Sequence, residues 1–222
     1  MRTAAILPVK RFAAAKQRLA ASVPDALRLE LARAMVGDVL AALADARAIE
    51  LTVIVTGQHD LADGAHAGRV EVLEDRAERG QSSAVSLGVA LARERGFERV
   101  LCVPGDCPAL SPDELDELLA RNDEQVVIVP DRHGSGTNAL LLSPVDAIPP
   151  SFGPDSRARH CKLARAAGRS WRLAPVPSLL LDIDTGADLQ ELRDRLAASV
   201  GRARRTRAVL ERQAAPAGGR KG

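Results

Sequence analysis

The sequence predicts an α/β fold, a single domain with one mostly parallel, open sheet and helices on both of its faces. Short apolar runs that end at Gly or Pro alternate with longer segments of helical periodicity, which is the order expected of a doubly wound sheet. The runs are continuously apolar, as in strands covered on both faces. With 222 residues, the chain has the length of one substantial domain, which we place at residues 1–201.

The chain supplies these elements in order. Apolar runs predict strands at residues 4–9, 51–56, 70–73, 100–103, 126–129 and 139–142, with shorter strands at 171–174 and 179–183. Apolar residues at helical spacing begin near Asp25 and continue through Leu43, and a second helix follows Gly80. Further helices are expected at 112–120, 156–167 and 188–200. The proline-rich segment 143–156 has no periodicity and is expected to be a functional or mobile loop.

The residues from Arg202 onward differ in composition from the rest of the chain. This stretch has seven Lys and Arg against one acid, which leaves the preceding residues with 24 basic and 28 acidic side chains. We expect residues 202–222 to form a basic, disordered tail. The tail alone would favour nucleic acid, but aromatic residues are only 2% of the chain, so base stacking is a poor prospect. We therefore expect no nucleic-acid partner.

Cysteine usage and hydropathy indicate the compartment. Three cysteines in irregular spacing give neither a zinc pattern nor a disulfide framework, which suits a reducing cytoplasm. No apolar run approaches the roughly 20 residues of a membrane span, and the first apolar run is short for a signal peptide. We expect a cytoplasmic protein with no membrane partner.

Several common enzyme motifs are missing. The chain has no Gly-rich loop ending in Gly-Lys-Ser/Thr, no Gly-x-Gly-x-x-Gly after its first strand and no Gly-x-Ser-x-Gly elbow. These absences argue against P-loop enzymes, ordinary dinucleotide-binding dehydrogenases and α/β-hydrolases.

Two acids follow buried segments and predict a metal site. Asp106 follows the strand at 100–103, and Asp184 follows the strand expected at 179–183. Ligands of open α/β sheets bind at the carboxyl ends of strands, and Mg²⁺ is usually held by a few carboxylates plus substrate phosphates. Asp106 and Asp184 are therefore candidate Mg²⁺ ligands. Asp106 is equally compatible with capping the helix near Ser111. Strand alternation puts Asp182 on the same face as Asp184, with one of the two free to cap the next helix.

Basic and small polar residues predict a nucleotide site at the same edge. The end of the first strand carries Pro8 and the loop after it carries Lys10, Lys16 and Arg18, and cations there suit a polyphosphate. Taken alone, the same residues fit a solvated basic loop at least as well. Gly80, Ser82 and Ser83 open a helix whose free N–H groups can bind an anion, although Ser also caps helices without any ligand. Later loops containing Thr137, Gly153 and Ser156 offer further donors to a phosphorylated ligand.

Together these motifs resemble one family, the guanylyltransferases of deazaflavin coenzyme F-420 biosynthesis, which act on 2-phospho-L-lactate or phosphoenolpyruvate. The matching pieces are Leu-Pro-Val-Lys at 7–10 with Lys-x-Arg-Leu at 16–19, Val-Pro-Gly-Asp-Cys-Pro at 103–108, Gly-x-Gly-Thr-Asn-Ala-Leu at 134–140, Phe-Gly-Pro-x-Ser at 152–156 and Asp-Ile-Asp-Thr at 182–185. Departures are Gln17, where the family commonly has Ser, and a segment at 80–82 without the Asn of related nucleotidyltransferases.

The resemblance implies a nucleotide-diphospho-sugar transferase-like fold, Mg²⁺ and specific residue roles. By position, Asp106 and Asp184 resemble the metal ligands, with Asp106, Lys10 and Lys16 catalytic. Thr137, Gly153 and Ser156 resemble the contacts to the phosphorylated acid. The nucleotide contacts are implied at Pro8, Lys10, Lys16, Arg18, Gly80, Ser82 and Ser83.

The function implied is transfer of GMP from GTP to phosphoenolpyruvate, 2-phospho-L-lactate or 3-phosphoglycerate, with release of pyrophosphate. The partners would be GTP, a small phosphorylated three-carbon acid and a downstream enzyme of coenzyme F-420 biosynthesis that takes the unstable product; a homodimer is left open. Alternatives are a nucleotidyltransferase of the same fold acting on molybdopterin or a sugar phosphate, and a non-catalytic nucleotide-binding module.

Overall fold

The computed structural model describes residues 1–12, 16–20, 23–58, 69–121, 123–197 and 201–214. Its strands are β1 (Thr3–Val9), β2 (Leu51–Thr56), β3 (Val70–Glu74), β4 (Arg99–Cys102), β5 (Val126–Pro130), β6 (Thr137–Leu142) and β7 (Trp171–Leu173). Its α-helices are α1 (Asp25–Asp45), α2 (Gln81–Glu94), α3 (Pro112–Ala120), α4 (Ser156–Ala166), α5 (Gly186–Ala197) and α6 (Arg204–Ala214).

The strands form one sheet in the order β3-β2-β1-β4-β6-β5-β7. All neighbours are parallel except β6, which runs antiparallel to both β4 and β5. The prediction of a mostly parallel sheet is confirmed. Pro8 is tolerated in the centrally placed β1 because it lies beyond the last β1–β4 pair, Ile6 with Cys102, where its missing N–H interrupts no pairing with β4.

Helices cover both faces of this sheet, as predicted. Leu7 of β1 belongs to the apolar cluster shared with α1 and α3, whereas Ile6 belongs to the cluster shared with α2 and α4. Adjacent residues of a strand point to opposite faces, so each strand contributes to both clusters. Val100, Leu101 and Cys102 of β4 are all buried, which explains why that run is continuously apolar.

The expected strand at 179–183 is wrong. Residues Pro177–Leu179 form a 3₁₀ turn, and no sheet strand follows among residues 180–184. The alternation that suggested a strand is real, because Leu179, Leu181 and Ile183 are all buried. They pack into apolar clusters instead of pairing with a strand, and β5 already has β6 and β7 on its two sides.

The expected disorder from residue 202 is wrong for residues 204–214, which form α6. This helix packs against α1 and α5, with Thr206, Val209 and Leu210 buried. The carboxylate of Asp38 accepts hydrogen bonds from the backbone N–H groups of Arg205 and Thr206, at 2.9 and 2.8 Å. Composition did not predict this helix because α1, which provides most of its packing contacts, lies far away in the sequence. Residues 215–222, the rest of the expected tail, and residues 198–200, the expected end of the helix at 188–200, lie outside the described residues.

The predicted loop at 143–156 contains buried apolar residues at Val145, Ala147 and Ile148. These side chains belong to the cluster that α2 and α4 share with the sheet. In the part of the chain that the structure describes, no helix combines the length and apolarity needed to cross a membrane.

Candidate functional site

A cavity of about 750 Å³ opens at the carboxyl ends of β1, β2 and β4. Ligands of open α/β sheets bind at this edge. The cavity brings together most of the residues predicted for the site, namely Pro8, Lys10, Lys16, Arg18, Gly80, Asp106, Gly153 and Asp184. Most residues predicted to bind the nucleotide, both predicted metal ligands and one of the three residues predicted to bind the acid therefore line one cavity.

The centre of the site is an ammonium group held between two carboxylates. Lys16 Nζ lies 2.5 Å from Asp106 Oδ2 and 3.0 Å from Asp184 Oδ1. Only 9% of the lysine side chain is exposed. Burial opposes its charged form, but the attraction of Asp106 and Asp184 outweighs burial and raises the pKa of Lys16 above its ordinary value. Lys16 is therefore charged at neutral pH. Its backbone lies in the left-handed region at φ 57°, a conformation that non-glycine residues adopt at a cost.

The loop after β4 and the segment before α5 fix the two acids. The backbone N–H of Ile183 donates to the carbonyl of Asp106 at 3.1 Å, which joins the two segments directly. Asp188 accepts from the N–H groups of Asp184 and Thr185, at 3.0 and 2.7 Å. Burial opposes the charge of Asp188, but these amide donors lower its pKa below the ordinary value. The carboxylate that caps α5 is thus Asp188, and the suggestion that Asp182 or Asp184 does so is wrong.

Asp106 does not cap α3 either, because the hydroxyl of Ser111 occupies that position and accepts from Glu114 N at 3.5 Å. One oxygen of Asp106, Oδ1, is buried and has no hydrogen-bond partner among the residues that the structure describes. A buried carboxylate oxygen without a donor is costly unless a cation or solvent satisfies it.

The donor set fits Mg²⁺. Within the described ranges, no group of three or more His, Cys, Asp and Glu side chains is placed to hold a metal ion. Mg²⁺ is usually bound through one or two carboxylates together with substrate phosphates. The unpaired Oδ1 of Asp106 and the neighbouring carboxylate of Asp184 meet that requirement once a phosphorylated ligand is present.

The remaining basic residues lie at the cavity mouth. Arg18 Nη1 is 4.0 Å from Asp184 Oδ2, and 79% of the arginine side chain is exposed. Lys10 is also exposed and lines the cavity. Exposed side chains of this length can move toward an incoming polyphosphate and provide charge at its outer end.

The start of α2 separates the three residues predicted there. Gly80 lines the cavity, takes φ 102° and, as the N-cap of α2, has no side chain that could accept from the first-turn N–H groups. The hydroxyl of Ser82 instead accepts from Phe152 N at 2.8 Å. Ser82 and Ser83 are not among the residues that line the cavity.

The three residues predicted to contact the acid are also divided. Gly153 lines the cavity at φ 109°, a conformation suited to glycine. Thr137 is 8% exposed and Ser156 is 1% exposed, and neither lines the cavity. Ser156 N donates to the carbonyl of Gly153 at 3.1 Å, which ties it to the cavity wall through the backbone.

Several residues that line the cavity were missed from sequence, among them Gly57, Asp75 and Glu78. Arg11 and Glu78 form an ion pair across the cavity wall. Gly57 and Asp75 directly follow β2 and β3, so the strand-end rule that selected Asp106 could have found them. The strand-end rule does not select Glu78, because this residue lies further along the loop after β3, where its backbone takes a positive φ of 44°.

The chain is similar in sequence to a family of guanylyl transferases. Residues 3–199 match a family model described as "Guanylyl transferase CofC like". A phosphoenolpyruvate guanylyltransferase of Conexibacter woesei is 49% identical over 95% of this chain and 96% of its own. A 2-phospho-L-lactate guanylyltransferase of Methanothermobacter thermautotrophicus is 32% identical over 86% of this chain and 84% of its own. A 3-phospho-D-glycerate guanylyltransferase of Phenylobacterium zucineum is 36% identical, over 85% and 88%.

The solved structures show the same fold. A putative nucleotide-diphospho-sugar transferase from Desulfovibrio desulfuricans G20 superposes with a TM-score of 0.77 at 20% identity, covering 96% of both chains. At that identity the likeness concerns the fold alone.

Proposed function

The chain belongs to the CofC-like guanylyl transferase family, and from that membership we propose that it transfers GMP from GTP to phosphoenolpyruvate with release of pyrophosphate. The product would be enolpyruvyl-diphospho-guanosine, an intermediate for coenzyme F-420 biosynthesis. 2-Phospho-L-lactate and 3-phosphoglycerate are the other acceptors, since relatives are named for those acids. Phosphoenolpyruvate comes first because the relative that is 49% identical is named for it.

The observation that carries this proposal is the contact of Lys16 with both Asp106 and Asp184 in the wall of the cavity. A buried cation between two acids can exchange one carboxylate contact for a phosphate without losing its charge. The exposed Lys10 and Arg18 at the mouth supply further positive charge. A triphosphate and a phosphorylated acid are both anions, so charge neutralisation is what brings them together.

The proposed step is an in-line displacement at phosphorus. A phosphate oxygen of the acid forms a bond to the α-phosphorus of GTP, and the bond from that phosphorus to the bridging oxygen breaks. Pyrophosphate leaves with the electron pair of that bond. The attacking phosphate is already ionised near neutral pH, so the step needs no strong general base. Catalysis then consists of positioning and electrostatic stabilisation.

Asp106 and Asp184 would hold Mg²⁺, which when bound supplies positive charge to the triphosphate. Lys16 would offset charge on the α-phosphate and the leaving group, because its ammonium stays protonated in this site. The backbone of Gly153 would bind the acid at the cavity wall. The hydroxyls of Thr137 and Ser156 are buried and do not line the cavity, so they would contact the acid once it displaces part of that wall. We further propose that the labile product passes to a cytoplasmic enzyme that consumes it.

Pyrophosphate release tests the proposal. The purified chain is incubated with GTP, MgCl₂ and each of the three acids in turn, and pyrophosphate is measured by a coupled assay. We expect release that needs both GTP and an acid and that falls on addition of EDTA. Replacing GTP by ATP, CTP or UTP tests the base, and sugar phosphates test the rival acceptors. No release with any of the acids would refute the proposal.

A further inference from the structure

His160 is buried and connects two elements of the proposed acid site. Its side chain is completely buried, with 0% exposure. Nε2 lies 2.9 Å from the backbone nitrogen of Ser151, and Nδ1 lies 3.0 Å from the hydroxyl oxygen of Thr137. Ser151 begins the segment 151–154 that contains Gly153. His160 therefore bridges the start of β6 and the loop that enters the cavity.

The partners of His160 determine which nitrogen carries the proton. A backbone N–H can only donate, so Nε2 must be the unprotonated acceptor of the Ser151 N–H. A neutral imidazole has one N–H, which is then at Nδ1. Nδ1–H consequently donates to Thr137 Oγ1. A protonated imidazolium would have a donor at both nitrogens and would lose the bond to Ser151.

This assignment sets the polarity of the Thr137 hydroxyl. A threonine hydroxyl has one O–H donor and two acceptor positions. Because Oγ1 accepts from His160, its own proton is left to donate to another group. β6 is antiparallel to β4 with Leu140 opposite Cys102, so Thr137, three residues earlier, lies toward the edge where Asp106 follows β4. An anionic ligand at this edge is an acceptor for that proton.

We propose that His160 is a positioning residue for the phosphorylated acid, which orients the Thr137 hydroxyl as a donor and fixes the loop at Ser151. The inference rests on the proposed function and deepens its acid site. His160 does not touch the substrate in this account and transfers no proton; it acts through the two groups that it holds.

The surroundings of His160 support this role. The ring of Phe152 meets the imidazole edge-on, with centroids 5.1 Å apart. Arg159 holds the same loop from the other side, because its guanidinium donates to the carbonyls of Ser151 and Phe152 at 3.0 Å each. Burial and the charge of Arg159 lower the pKa of His160 to about 4, so the neutral tautomer persists at physiological pH.

Two substitutions of His160 separate its two hydrogen bonds. His160→Gln places an acceptor near Nε2 and keeps the bond to Ser151, but it lacks the donor to Thr137. His160→Asn places an amide nitrogen near Nδ1 and keeps that donor. We expect His160→Gln to raise the KM for the acid by about ten- to hundredfold, as for loss of an oriented hydrogen bond to a charged group. His160→Asn should recover most of that loss.

Three further readouts distinguish positioning from a general structural role. The KM for GTP should change less than about twofold in His160→Gln, since the nucleotide contacts are untouched. Thr137→Val and the double variant Thr137→Val, His160→Gln should share one KM for the acid, because both delete the same donated proton. His133→Gln, at an exposed histidine, is the matched control and should behave as wild type.

The tautomer can be measured without any variant. Nitrogen-15 NMR of the wild-type chain labelled at histidine should show a protonated Nδ1 and an unprotonated Nε2 for the buried imidazole. The opposite tautomer, or an acid KM in His160→Gln equal to wild type, would overturn the inference while leaving the proposed function intact. Additive losses in the double variant would also overturn it. Absence of pyrophosphate release by the wild-type chain with every acid would defeat the proposed function and the inference with it.

Discussion

Replacing Asp106 by Asn removes one of the two negative charges around Lys16 and preserves the shape of the side chain. The Lys16 Nζ to Asp106 Oδ2 distance is 2.5 Å, and 26% of the Asp106 side chain is exposed. A contact between unit charges about 4 Å apart is worth about 4 kcal/mol at an effective dielectric constant of about 20, and the shorter Lys16–Asp106 contact is worth somewhat more. Partial exposure of Asp106 reduces this interaction energy to about 3–4 kcal/mol. A tenfold change in rate corresponds to about 1.4 kcal/mol. We therefore expect Asp106→Asn to lower kcat/KM by about two to three decades.

Pyrophosphate release at varied GTP and Mg²⁺ concentrations measures this loss, with thermal unfolding as the test of folding. The matched control is Asp182→Asn, because Asp182 lies two residues before Asp184 and contacts Asn138 at 3.3 Å instead of Lys16. We expect the control to lose less than about one decade of kcat/KM. Near-wild-type turnover in Asp106→Asn, or equal losses in both variants, would refute the assignment of Asp106 as the anchor of the site.

Three further predictions concern the fold that supports the site. Asp38→Ala should lower the free energy of unfolding by about 1–2 kcal/mol, because the first turn of α6 loses its carboxylate cap; chemical denaturation measures it, and Asp38→Asn should recover most of the loss without a change in kcat. Gly88→Ala should cost about 1–3 kcal/mol in the same assay, because a Cβ there would lie 2.5 Å from Ile6 Cγ2; Ser86→Ala, on the exposed side of α2, is the control and should change little. The pKa of His160 is lowered to about 4 from 6.5, so its contribution to stability is complete above pH 6.5 and is lost as the pH falls to 4. Unfolding measured as a function of pH should show a loss of about 3 kcal/mol over that range, and the loss should be absent in His160→Gln. An identical pH profile in the variant would contradict the shift.

Most of the sheet was predictable because its central strands are largely apolar and end at or near a Gly or Pro, signals that are local in sequence. The errors arose where local pattern and tertiary packing disagree. Leu179, Leu181 and Ile183 alternate as in a strand, but their backbone follows a turn and a non-sheet path to Asp106. α6 has a basic composition typical of a solvated tail, yet Val209 and Leu210 are buried.

The part of the site that was predictable from the sequence consists of residues in loops that follow a strand. Asp106 and Lys16 follow β4 and β1, and the structure brings their side chains into contact. Asp184 was selected through a strand that does not exist, and it reaches the site because Ile183 bonds to the Asp106 backbone. The contact of Ser82 with Phe152 connects the first turn of α2 with a loop 70 residues later, and no local pattern encodes such a contact.

The fate of the α-phosphorus of GTP tests the central claim most directly. The chain is incubated with phosphoenolpyruvate and MgCl₂ and with GTP labelled at either the α- or the γ-phosphate, and the products are separated. We predict that the α-label enters a guanosine diphosphate-linked acid while the γ-label leaves as pyrophosphate. Release of the γ-label as inorganic phosphate with the α-label retained in GDP, or no transfer of the α-label to any of the three acids, would contradict a guanylyl transfer.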